Sequence, residues 1–187
     1  PFLASVLEEK AEHSPAALDC LARLTENDLA AGALAGSCGG RGINVVLDSV
    51  RYAYDAGAGG PLRDALWTLS HVAKLPDCLP LCVYAGVAPL AFSILTDSVA
   101  EAPADQTAAN LALLAHLAAE RAAVVPDLVA GGIFEVLRTA LQRHCSDAYS
   151  PNEPVLYAAA LMLQRLAAAD GVVGATGASS GRGEEFR

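Results

Sequence analysis

The chain has 187 residues, 53% of them apolar but only 5% aromatic, and carries a formal net charge of −9. The negative balance argues against nucleic acid and anionic membrane surfaces, which are bound chiefly through Lys and Arg. An apolar complement made mostly of Leu, Ala and Val suits helices packed closely through small residues better than a β-sandwich, so the expected class is all-α.

The longest apolar stretches, such as residues 85–95, fall short of the ~20 residues that a membrane span needs. No basic segment followed by an apolar run is visible, and no secretory signal is expected. The five cysteines, Cys20, Cys38, Cys78, Cys82 and Cys145, are odd in number and scattered. They fit neither a disulfide framework nor a paired zinc motif and are read as reduced, half-buried thiols of a cytosolic protein.

In chain order, Pro1-Phe2-Leu3-Ala4-Ser5-Val6-Leu7 opens on helical apolar spacing. A start of this kind, with its apolar face forward, is what a piece cut from a longer array would present. Residues 17–24 form the next helix. Then Gly42-Ile43-Asn44-Val45-Val46-Leu47 begins a helix after a glycine-rich turn, and residues 65–72 form its follower. The pattern returns with Val87-Ala88-Pro89-Leu90-Ala91-Phe92 and residues 110–117, and again with Gly132-Ile133-Phe134-Glu135-Val136-Leu137 and residues 159–166. Ile43, Ala88 and Ile133 are 45 residues apart each time, as are Leu47, Phe92 and Leu137. Leu21, Leu69, Leu114 and Leu163 occupy one register of the follower helices, and Leu24, Val72, Leu117 and Leu166 the position three residues on. That is the stripe of a helix burying one face. The last interval, 49 residues, is longer because residues 145–154 form an extended loop.

A period of ~40–47 residues containing two or three helices is the range of armadillo and HEAT repeats. Residues 85–92 and 130–137 resemble the armadillo second helix. Residues 65–73 resemble its third helix, where the family has a Trp followed four residues later by an Asn. Residues 77–84 and 121–129 take the place of the small first helix. The likeness covers about residues 1–168 and is strongest over 61–140. It implies a right-handed α-solenoid of about four armadillo-type repeats over residues 1–169, with units at about 1–26, 27–75, 76–120 and 121–168. A flexible, Gly/Ser-rich acidic tail is expected over 170–187.

The resemblance also implies where a partner would lie, because armadillo third helices line a concave groove. The family's Asn positions here hold Arg23, His71, His116 and Arg165. Trp67 matches the family Trp, and Asp64, one turn earlier, shares its face. A groove lined by this row of donors is expected to take an extended or acidic segment, since Arg forks onto carboxylates and His gains charge near neutral pH. The absent Asn ladder sets the chain apart from the nuclear-import mode of basic-peptide binding.

No catalytic, cofactor or metal set is expected. Thr176-Gly177-Ala178-Ser179-Ser180-Gly181-Arg182-Gly183 resembles the glycine-rich turn of short-chain dehydrogenases, but no βαβ unit of ~30 residues fits around it. The four histidines fall in separate units. The expected function is therefore that of a non-enzymatic interaction scaffold or adaptor in the cytoplasm, within a larger cytoskeletal or trafficking assembly. Two alternatives stand beside it: a structural subunit of a cytoskeletal or ciliary complex that associates laterally or homotypically through its convex or end faces, and a regulatory domain of a larger enzyme.

Overall fold

Three glycines stand directly before helices with left-handed backbone: Gly40 (φ 96°), Gly86 (φ 77°) and Gly132 (φ 87°). They follow one another at 46-residue intervals. Only glycine takes this conformation without a steric clash at Cβ, so each marks a sharp turn into the helix that follows. The structure, a computed structural model, describes residues 15–36, 40–147 and 150–177. Among them every regular element is a helix, as composition implies: α1 (Pro15–Leu24), α2 (Asp28–Gly36), α3 (Arg41–Asp55), α4 (Gly59–Ala73), α5 (Leu79–Tyr84), α6 (Val87–Ser98), α7 (Ala104–Leu117), α8 (Arg121–Ala130), α9 (Ile133–His144) and α10 (Glu153–Gly177). The helix expected at residues 1–7 and the last part of the tail, 178–187, lie outside the described residues.

Two boundaries differ from expectation. Helix α2 was not among the anticipated elements. It forms because the Asn27 side chain accepts hydrogen bonds from the Leu29 and Ala30 backbone N–H groups, at 3.0 and 3.3 Å, and satisfies donors that a helix start leaves open. Helix α10 runs to Gly177, so its last turns reach into the segment expected as a tail. Asn152 caps its start by accepting from the Val155 N–H at 3.2 Å, and Ala and Val dominate its later turns.

The longest-reaching contacts arrange these helices in two rows. Helix α4 packs between α1 and α7, and α7 packs between α4 and α10. Helices α3, α6 and α9 lie on α4, α7 and α10 respectively, each closer to that partner than to one another. Arg63, near the start of α4, reaches Asp105, near the start of α7, at 3.0 Å. Lys74, just after α4, meets Asp28 at 3.5 Å. In the second row, Tyr54 of α3 donates to Asp97 of α6 at 3.0 Å, and Arg143 of α9 donates to the Glu101 carbonyl at 2.8 Å. The Arg63–Asp105, Tyr54–Asp97 and Arg143–Glu101 pairings bring like ends of helices together, whereas Lys74–Asp28 joins the end of α4 to the start of α2.

The core runs through both rows and is built from Leu, Ala, Val and Ile. Helix α7 is its axis: from Gln106 to Leu117 every residue but His116 is buried. A helix buried all round needs apolar and small residues on every face, which Ala108, Ala109, Ala112 and Ala115 supply between the leucines. Among the described residues, no helix is long and apolar enough to cross a membrane.

Candidate functional site

Helices α1 and α4 meet along one side in a notch of about 430 Å³, lined by Asp19, Ala22, Arg23, Glu26, Asp64, Trp67 and His71. Its geometry follows from helical spacing. Asp64, Trp67 and His71 sit three and four residues apart on α4, so their side chains share a face. Trp67 is half-buried and stacks on His71, with ring centroids 5.8 Å apart and planes inclined by 24°.

His71 is anchored across the helix pair. The Thr25 hydroxyl donates to the Leu21 carbonyl at 2.8 Å, and its oxygen lies 3.2 Å from His71 Nδ1. A hydroxyl has one proton to give. With that proton on the carbonyl, the hydroxyl oxygen is free to accept from a His71 tautomer protonated at Nδ1. Burial lowers the His71 pKa, and the attraction of Glu26 only partly offsets it. His116 is lowered by burial as well, and further by the positive charges of Arg165 and Lys74.

Arg23 Nε lies 3.1 and 3.0 Å from the two carboxylate oxygens of Asp19, one helical turn away. Asp64 is engaged by its neighbour Arg63, whose Nη2 lies at 2.7 Å and whose Nη1 continues to Asp105. The notch thus presents three carboxylates, one guanidinium already paired, and one neutral imidazole beside an indole.

The residues expected to form the groove divide into two groups. Arg23, Asp64, Trp67 and His71 line the notch together, while His116 on α7 and Arg165 on α10 lie outside it. The latter pair are close enough for the charge of Arg165 to depress the His116 pKa. Arg165 Nε is buried, with no hydrogen-bond partner among the described residues. Within the expected donor row, burial lowers the pKa values of His71 and His116, and Arg23 forms an exposed ion pair with Asp19 one turn away. Asp19 and Glu26 are site residues that the sequence reading did not single out. The Asp19–Arg23 pair has i, i+4 spacing and is legible in the sequence, but nothing local announces Glu26.

Neither a protein-family model nor a curated protein matches this chain.

Among the described residues, no cysteine lines the notch. Cys78 and Cys82 are buried and free. Burial pushes the Cys82 thiol up to about 12, which leaves it protonated and unreactive at neutral pH. Among the described residues, no cluster of His, Cys, Asp or Glu could hold a metal ion.

Proposed function

We propose that the chain is an armadillo-type array, a right-handed α-solenoid of about four repeats. In this reading it works in the cytoplasm as a non-enzymatic scaffold that binds a segment of another protein along the row α1, α4, α7 and α10. The observation that carries the binding reading is the notch between α1 and α4, with Trp67 half-exposed in it. Trp is the side chain most enriched in binding hot spots, because it removes a large apolar area from water while retaining one N–H donor. Support for the repeat reading comes from offsets. Five polar contacts between helices, Thr25 to His71, Asp28 to Lys74, Tyr54 to Asp97, Arg63 to Asp105 and Glu101 to Arg143, lie 42–46 positions apart, and a further one, Thr107 to His144, lies 37 apart.

The preferred segment meets Trp67 with an apolar or aromatic side chain and offers hydrogen-bond partners to its rim. A carboxylate would face Asp19, Glu26 and Asp64 at short range. Panning a displayed random-peptide library on the full chain tests the reading. Enriched peptides are expected to lose about tenfold or more in affinity for Trp67→Ala, the loss of one hot spot, while circular dichroism of the variant stays that of the parent. Failure to enrich any peptide, or full retention by the variant, would overturn it.

A second reading, association through an end face, has its own observation. On α10 the residues Leu156, Ala160, Leu163 and Ala167 are exposed at helical spacing. They form an apolar stripe on the side that does not pack on α7.

A further inference from the structure

A cleft of about 340 Å³ lies between α6 and α8 and shares no residue with the notch at Trp67. Its walls are Val83, Ala88, Pro89 and Phe92 on one side and Ala123, Val124 and Leu128 on the other, with Gly131 behind. Phe92 lies against Gly131 so closely that a Cβ there would overlap its ring atom Cε1. The glycine therefore lets the Phe92 ring pack directly against the backbone at the back of the cleft. At this size the cleft falls at the small end of ligand sites, roughly 300–1,000 Å³, and accommodates one large side chain with part of its neighbour.

Its polar rim has one sign. Asp97 and Asp127 line the cleft together with the hydroxyl residues Ser93 and Thr96, and the lining contains no Lys, Arg or His. Both aspartates are exposed. Asp97 accepts a hydrogen bond from the Tyr54 hydroxyl at 3.0 Å, which orients the carboxylate but leaves its charge in place. An apolar cleft with carboxylates at its rim and a chain charge of −9 favours a cationic visitor at contact and at long range. We propose that the α6–α8 cleft is a second docking site, which takes an apolar side chain of a partner protein segment flanked by Lys or Arg. The apolar residue enters between Phe92 and Leu128, and the flanking cations lie over Asp97 and Asp127.

Fluorescence anisotropy on the full chain tests this with two tagged peptides: one carries a Phe flanked by lysines, the other the same Phe flanked by glutamates. The lysine peptide is expected to bind, more weakly as salt rises, and the glutamate peptide not to bind. Ser93→Trp fills the cleft from an exposed position and is expected to weaken binding about tenfold or more. Asp127→Lys, also at an exposed position, is expected to weaken it about threefold or more. Thermal melting of both variants confirms that they fold. Trp67→Ala is expected to leave the affinity within about twofold, so that failure here and failure at the notch are told apart. No binding of the lysine peptide overturns the proposal, as does equal binding of the glutamate peptide or binding that survives Ser93→Trp. Loss of binding in Trp67→Ala places the peptide in the notch instead and also overturns it. So does self-association abolished by Ser93→Trp, which assigns the cleft to a second copy of the chain.

Discussion

His71, His116 and His144 all have imidazole pKa values below the ordinary 6.5, in each case chiefly through burial. For His116 the neighbouring positive charges of Arg165 and Lys74 act in the same direction, and for His144 that of Arg143 does. The sign of the pH effect follows. Between the lowered folded values and the unfolded value near 6.5, the unfolded chain binds more protons than the folded one, so stability rises with pH. Acidification from pH 7.5 to 5.5 is therefore expected to lower the thermal midpoint, and His116→Gln to flatten that slope. A midpoint that rises on acidification through this range contradicts the assignment. Asp105 acts in a lower window. Burial pushes its pKa up, but hydrogen bonds from Arg63 and the Gln106 N–H outweigh this and hold it below the usual carboxylate value. The stability it contributes is lost only as pH falls below about 4.

At the scale of elements, the left-handed glycines are the positions where a single methyl group is most informative. A Cβ added to Gly86 or Gly132 meets nothing within 4 Å, so any cost of substitution is conformational rather than steric crowding. Gly86→Ala and Gly132→Ala are each expected to destabilise by about 1–2 kcal/mol, the left-handed penalty of an L-residue, measured by urea denaturation. An unchanged midpoint would mean that the turns into α6 and α9 can be made another way. These turns are legible in the sequence because each glycine directly precedes a run with helical apolar spacing. Helix α2 was less legible: its Ala-rich run has apolar residues on all sides and no clear stripe, and only the Asn27 cap marks its start. The continuation of α10 past residue 170 was hidden for a related reason. Gly171 and Gly174 look like helix breakers, but isolated glycines cost only about 1 kcal/mol each in a helix.

At the scale of the molecule, α4 and α7 each have neighbours on both sides, whereas the far side of α10 carries the stripe of Leu156, Ala160, Leu163 and Ala167. An exposed apolar stripe favours association, since burying it releases ordered water at roughly 25 cal/mol per Å². If the end face is used, the mass measured by light scattering will rise with protein concentration, and Leu156→Glu together with Leu163→Glu will return it to that of a monomer. A monomeric mass for the parent chain at all concentrations argues that the face is not self-complementary.

The all-α class, the turns into α6 and α9 and the shared face of Asp64, Trp67 and His71 were determined by the sequence alone. Each rests on contacts within a few residues, where periodicity, caps and left-handed glycines act directly. The charge state of the groove was decided by tertiary structure. The packing of α1 against α4 buries His71 and brings Glu26 toward it, and α10 places Arg165 near His116. The α6–α8 cleft is likewise a product of packing, because its walls come from residues up to 48 positions apart. Desolvation and long-range proximity have no local signature. A row that reads as cationic in the sequence thus becomes, once folded, an indole and two imidazoles of lowered pKa beside an Arg23 paired with Asp19 and a partly buried Arg165.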